Sequence, residues 1–171
     1  GAGALAGAPR PTSSQAGARQ AMASEKRIGT RDDYRWFTTI TTRWMDNDVY
    51  GHVNNVQYYS FFDTAVADFL LECGALDIAR SPAIGLVVET QCRYFAPITY
   101  PDRVTVGLRC ARIGTSSVRY EIGVFRNDEH QASAEGHFVH VYVRRDAQNR
   151  TTPMPERLRE ALQALLVAPA G

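Results

Sequence analysis

Residues 43–65, RWMDNDVYGHVNNVQYYSFFDTA, decide how the rest of the chain is read. Just upstream, RWFTTITTRW (35–44) alternates Trp36, Thr38, Ile40, Thr42 and Trp44 against Phe37, Thr39, Thr41 and Arg43. Thr, Trp and Ile at a period of two predict a first strand. Downstream, apolar residues at helical spacing predict a helix over about 55–73, closed by Gly74 at the usual C-terminal position. Between the two lies a turn holding Asp46, Asp48, Gly51, His52, Asn54 and Asn55, more polar chemistry than a turn requires.

At 100° per residue the helix carries Gln57, Ser60, Thr64, Asp68 and Glu72 on one narrow polar stripe. Tyr59, Phe62, Val66, Phe69, Leu70 and Cys73 cover the opposite side, and Tyr58, Phe61 and Ala65 widen the apolar surface. Such a helix is expected to be nearly surrounded by a curved sheet. Asp63 lies off the polar stripe, on the flank of Val56 and Leu70, where an acid needs a partner or a task.

Four alternating runs follow: LVVETQCRYF (86–95), RVTVGLRCARI (103–113), SVRYEIGVF (117–125) and GHFVHVYVR (136–144). Their links are short and rich in Gly, Asn and Asp, as in antiparallel hairpins. TPMPERLREALQALL (152–166) ends the pattern as a helix with Pro155 in its first turn and an apolar stripe of Leu158, Leu162, Leu165 and Leu166. Strand, helix, four strands, helix is an α+β domain with one antiparallel sheet. Residues 31–171 form that single domain. Residues 1–30 are expected to be a flexible tail, because 1–24 are Gly, Ala, Ser, Pro and Gln with Arg10, Arg19 and no acid. That composition also suits an organellar transit segment; a start at Met22 behind an upstream extension is the preferred expectation.

Composition narrows the function. With 44% apolar residues and a formal net charge of +1, the 171-residue chain can bury a core but lacks the basic field of a nucleic-acid binder. No apolar run reaches the roughly 18 residues of a membrane span, and a cytoplasmic protein is expected. Cys73, Cys92 and Cys110 are scattered and odd in number, which offers neither a disulfide framework nor a CxxC site. His137 and His140 stand three apart on a strand and face opposite ways, so no metal is expected there. There is also no phosphate-binding glycine loop and no GxSxG serine.

The turn therefore has two readings. As structure, Asn54 is an N-cap with Gln57 three residues on, resembling a capping box, while Gly51 takes a conformation closed to other residues and the acids favour the positive helix end. As chemistry, first-turn amides without intrahelical acceptors can polarise a carbonyl, and a nearby carboxylate can attack it or activate water. The structural reading accounts for Asn54, Gln57 and Gly51, but not for His52 and a second Asn.

DNDVYGHVNNVQYYSFFD (46–63) resembles the D-x-D-x-x-G-H-V-N-N-x-x-Y signature of hot-dog-fold acyl-CoA thioesterases of the 4-hydroxybenzoyl-CoA thioesterase type. YFAPITYPDRVTV (94–106), RIGTSSVRYEIGV (112–124) and the final strand with TTPMPERLREAL (151–162) are similar too, so the likeness covers about 35–166. It implies a curved antiparallel sheet around a long helix, and a homodimer or dimer of dimers with active sites between subunits. It implies Asp48 as the catalytic carboxylate, nucleophile or general base, and the Asn55 amide as the group that polarises the thioester carbonyl. Gly51 would let the backbone pass close to the acyl group, with His52, Val53 and Asn54 shaping the site. Some members carry a catalytic Glu or Asp on the core helix instead, which keeps Asp63 as a secondary candidate. Arg112, Ser116 and Ser117 resemble the region that meets the nucleotide end of coenzyme A, which is part of the substrate and not a cofactor.

The expected reaction is hydrolysis of an acyl-CoA to a carboxylic acid and coenzyme A, without a metal or redox cofactor. The rival readings are an enoyl-thioester hydratase or dehydratase, whose D-x-N-P-x-H-like arrangement is not matched here, an acyl-carrier-protein thioesterase, and a non-catalytic acyl-CoA-binding protein.

Overall fold

The computed structural model describes residues 27–167. Strand β1 (Trp36–Thr41) is followed by a 3-10 turn (Trp44–Asp46) and helix α1 (Asn55–Glu72). Strands β2 (Ala83–Tyr94), β3 (Arg103–Ile113), β4 (Ser117–Arg126), β5 (Ala134–Arg144) and β6 (Ala147–Thr151) come next, and helix α2 (Glu156–Gln163) closes the sequence of elements. The six strands make one sheet in the order β1-β3-β4-β5-β2, with β6 also on β5. Every ladder is antiparallel.

The period-two pattern explains which face is filled. Val104, Val106, Leu108 and Cys110 of β3, and Val118, Tyr120, Ile122 and Val124 of β4, are all buried, as are Phe138, His140 and Tyr142 of β5. Across this face lies α1, burying Tyr58, Phe61, Phe62, Ala65, Val66, Phe69 and Leu70. Each such large side chain contributes about 1.5–3 kcal/mol by leaving water. Leu158, Leu162 and Leu165 from the C-terminal segment join the same core. A curved sheet wrapped on one long helix is the hot-dog arrangement that the resemblance implied.

The ends of α1 follow its sequence. Asn54 caps it in an extended conformation, with its side chain accepting from the Val56 amide at 3.1 Å. The capping box with Gln57 does not form: the Gln57 amide donates to the Asn54 backbone carbonyl instead. At the other end Gly74 has φ +69° and the Ala75 amide donates to the Leu70 carbonyl, the expected glycine stop.

Three expectations need correction. The helix is not nearly surrounded, because Val56, Tyr59 and Leu71 are exposed along with Asp63; the sheet reaches its β2 edge before it covers that flank. A fifth strand, β6, follows the predicted four, built from AQNRT, which has no apolar alternation. Pro155 stands at the N-cap of α2 and not inside its first turn. Of the expected tail, residues 1–26 lie outside the described residues. Further on, Arg27 pairs with Asp33, and the Gly29 carbonyl accepts from the Ala132 amide at 3.0 Å.

Candidate active site

The polar turn is held at its base by Asp46. That carboxylate is 1% exposed and accepts from the Arg43 amide (2.7 Å) and from Nε and Nη2 of the Arg43 guanidinium (3.0 and 2.8 Å). Its backbone carbonyl accepts from the Asn54 amide at 2.8 Å, so one residue links the end of the 3-10 turn to the cap of α1. Asp46 is thereby a structural acid.

Asp48 sits above this base in a tight loop. Its amide donates to the His52 carbonyl (2.8 Å), and the Gly51 amide donates to the Asp48 carbonyl (3.1 Å). The Asp48 Oδ1 accepts from the Tyr50 amide at 2.8 Å, with the His52 amide at 3.5 Å. One carboxylate oxygen thus fixes the turn, while Oδ2 has no hydrogen-bond partner among the described residues. Gly51 closes the loop with φ +79°, and nothing lies within 4 Å of where its Cβ would be, so backbone conformation and not crowding calls for glycine. The His52 side chain is exposed.

The next residues carry the loop into the helix. Val53 is buried and donates its amide to the Ile98 carbonyl at 2.7 Å. The Asn54 side chain takes the Val56 amide and the Asn54 carbonyl takes the Gln57 amide, which leaves the Asn55 amide as a first-turn donor with no acceptor among the described residues. Carboxylate and open amide therefore belong to one loop-to-helix junction. Around it Trp44, Met45, Val49 and Tyr50 are all exposed, Val49 to 94%.

The other expected site residues lie elsewhere. Arg112, Ser116 and Ser117 are at the β3–β4 hairpin, where the Gly114 amide donates to the Ser117 carbonyl (2.7 Å) and the Ser116 carbonyl accepts from the Tyr142 amide (2.7 Å). The Asp48 loop meets the opposite end of β3, through Thr42 Oγ1, which donates to the Asp102 carbonyl, and Asn47 Oδ1, which accepts from the Tyr100 amide. At 3.3 Å per residue the length of β3 separates the two groups by roughly 30 Å.

The hairpin shares its end of the sheet with a cavity of about 350 Å³ between the C-terminal half of α1, the start of β2 and the inner row of β5. Asp63 is at this cavity together with His140 and Tyr142, two residues that sequence reasoning did not assign to a site. Their signal was an imidazole and a phenol in the same inward row as Phe138. None of Asp48, His52 and Asn55 lines the cavity.

The sequence model of the thioesterase-like superfamily matches residues 42–162, from buried Thr42 before the loop to buried Leu162 in α2. The chain belongs to the thioesterase-like superfamily. That membership carries thioester hydrolysis as the class of chemistry and leaves the acting groups to geometry. This thioesterase-like protein is 51% identical to the PA5185 protein of Pseudomonas aeruginosa, with 83% of this chain and 99% of that chain covered at a TM-score of 0.80. It is 30% identical to the PA2801 protein of the same organism, covering 75% and 98% at a TM-score of 0.69. A 1,4-dihydroxy-2-naphthoyl-CoA thioesterase from Synechocystis shares the fold at 18% identity and a TM-score of 0.68, over 75% of this chain and 95% of that one. The uncharacterized protein YsmA of Bacillus subtilis is 18% identical over 88 residues, 52% of this chain and 59% of YsmA, so that match spans less than two thirds of the relative's length. Among the described residues no helix is long and apolar enough to cross a membrane.

Proposed function

We propose that this thioesterase-like protein is an acyl-CoA thioesterase whose reaction runs at the Asp48–Asn55 junction. One observation carries the reading: a carboxylate with an uncommitted oxygen and a helix-start amide without an acceptor belong to the same loop. The Asn55 amide donates to the thioester carbonyl and stabilises the oxyanion that develops there. Asp48 Oδ2 either attacks the carbonyl carbon or takes a proton from water as that water attacks. When Asp48 attacks, the C–S bond breaks to leave an acyl–Asp48 mixed anhydride, which water then hydrolyses to the carboxylic acid and free Asp48; when water attacks, the C–S bond breaks to give the acid directly. In both routes coenzyme A leaves as the thiolate, and no metal or redox cofactor enters the balance. His52, Gly51, Val53 and Asn54 shape the site. Arg112, Ser116 and Ser117 receive the nucleotide end of coenzyme A, the guanidinium suiting phosphate.

The active unit in this reading is a homodimer joined along β2. That strand is an edge of the sheet, 12 residues long, and exposes Leu86, Val87 and Val88, a combination that invites pairing with another chain. The exposed apolar flank of α1, Val56 and Tyr59, adds to the same surface. Two-fold antiparallel pairing about the middle of β2 sets the Tyr94 end of one copy opposite the Ala83 end of the other. The Asp48 loop of one subunit then adjoins the cavity and hairpin of its partner, which reunites the two groups that a single chain holds apart.

The test is release of free coenzyme A, followed with a thiol-reactive dye, from short, long and aryl acyl-CoAs by wild type and Asp48→Asn. Turnover by wild type with loss in the variant supports the reading. Equal turnover in both moves the chemistry to another group, with Asp63 first in line. Binding without turnover of any thioester favours the acyl-CoA-binding reading.

A further inference from the structure

The cavity beneath the second half of α1 contains a polar group that nothing among the described residues satisfies. His140 is 7% exposed, yet neither Nδ1 nor Nε2 has a hydrogen-bond partner among the described residues. Across the ladders it faces Val118 and Val87, and its ring contacts are Phe138 at 4.6 Å and Tyr120 at 5.6 Å between centroids, both edge-on; Tyr120 Oη is likewise buried without a partner among the described residues. A buried imidazole without partners is costly unless a ligand or water completes it. Beside it the β2 backbone is stripped of side chain at Gly85. A Cβ there would stand 3.3 Å from His140 Nδ1 and 3.1 Å from the Tyr142 ring, inside the contact distance that most side chains tolerate. A glycine within a strand that lines a cavity keeps room for something else to approach.

We infer that His140 is a specificity-determining residue that hydrogen-bonds a hydroxyl at the far end of the acyl group, in the pocket that Gly85 keeps open. This rests on the thioesterase reading and on the β2 pairing that brings the partner subunit's Asp48 to this cavity. Nδ1 is the nitrogen that faces the Gly85 backbone, and a hydroxyl, at once acceptor and donor, can pair with it in either tautomer of the neutral ring, while Nε2, which points away, is left to water. An alkyl tail leaves Nδ1 unanswered. A carboxylate answers Nδ1 only when that nitrogen carries the proton, and otherwise sets an anion against the imidazole lone pair, at a cavity lined by Asp63, Asp77 and Arg145. Burial lowers the imidazole pKa to about 4 against the smaller opposing effect of the Asp63 charge, which keeps it neutral at pH 7.

The experiment compares acyl-CoAs of one carbon skeleton that end in methyl, hydroxyl or carboxylate, with wild type, His140→Leu, His140→Gln and Gly85→Val. Wild type should favour the hydroxylated member by roughly tenfold or more in kcat/KM. His140→Leu should erase that preference while still turning over the methyl member, His140→Gln should keep much of it, and Gly85→Val should close the pocket to both. In parallel, imidazole ¹⁵N shifts in wild type are followed on adding the free hydroxy acid or its unsubstituted counterpart, which reads the contact without hydrolysis. Turnover with no hydroxyl preference, or a preference unchanged in His140→Leu, overturns the inference, leaves thioester hydrolysis standing, and assigns the imidazole to a bound water only. If no thioester is hydrolysed, the activity reading fails, and the ¹⁵N titration alone decides whether His140 meets a hydroxyl; unmoved shifts overturn it. Should His140→Leu not fold, the ¹⁵N titration of wild type decides: shifts moved by the hydroxy acid and not by its unsubstituted counterpart support the contact, and equal or unmoved shifts overturn it.

Discussion

Tyr94 Oη donates to the Asn55 carbonyl across 3.2 Å, tying the end of the edge strand β2 to the first turn of α1. Tyr94 also packs edge-on against Tyr58 at 4.9 Å. The strand that would join two subunits and the helix start that would polarise the thioester are therefore fixed to each other, so pairing along β2 and alignment of the proposed oxyanion donor are coupled.

Asp48→Asn is expected to lower turnover by roughly 10²–10⁴-fold, the range for a positioned carboxylate in proton transfer. Its stability should be nearly unchanged, because an amide oxygen can still accept from the Tyr50 amide. Asp48→Ala should lose the same activity and in addition about 1 kcal/mol of stability with that turn bond. Coenzyme A release and urea unfolding on both variants separate the two roles.

Asp46→Ala should cost about 2 kcal/mol, since three hydrogen bonds to a buried carboxylate disappear together. Activity should fall as well, because the lost side-chain bonds fix the backbone whose carbonyl accepts from the Asn54 amide at the start of α1. Denaturant midpoints alongside kcat check this.

At Gly51 the expected penalty is purely conformational. Alanine has room there but must adopt a positive φ, at a cost of about 1–2 kcal/mol, while asparagine, which tolerates that region, should cost less. Urea unfolding of Gly51→Ala and Gly51→Asn should rank in that order; equal midpoints would mean the loop relaxes to another conformation.

Val88→Arg places a charge at the middle of β2 and should convert a dimer into monomers with loss of turnover, read by light scattering and coenzyme A release. Complementation is sharper. Asp48→Asn mixed one to one with Gly85→Val should recover about a quarter of wild-type turnover if each site draws on two chains, since half the dimers are mixed and each holds one intact site. No recovery after subunit exchange counts against a shared site.

His140 gives a pH signature. Its folded pKa of about 4 lies below the ordinary 6.5, so the unfolded chain binds the extra proton first. The corresponding stability is present above pH 6.5 and is lost as pH falls through that window toward 4, at most roughly 3 kcal/mol. His140→Leu should flatten the dependence in that interval, measured as urea midpoints from pH 4 to 7.

Much of this was legible in the chain. The Trp36–Thr41 alternation, the α1 spacing, Gly74 and the Leu158–Leu162 stripe each reflect a local period or a local conformational preference, which sequence records directly. β6 was not legible because AQNRT joins the sheet through ladder hydrogen bonds alone. The open flank at Val56 and Tyr59 was missed for a different reason: apolar spacing says that a face avoids water without saying whether the same chain or another covers it. The loop from Asp46 to Asn55 could be read because its residues are contiguous. The distance from Asp48 to Arg112, and the cavity at His140, depend on how strands far apart in sequence run, and no motif spacing encodes that.

The separation of the Asp48 loop from the cavity along β3 has a kinetic consequence. If one chain supplies the carboxylate and another the acyl pocket, an isolated chain is silent, and specific activity should decline on dilution below the dissociation constant of the pair. Plotted against total protein, initial rates would then curve upward from the origin and straighten only at higher concentration, with saturating substrate shifting the bend to lower protein by holding the two chains together.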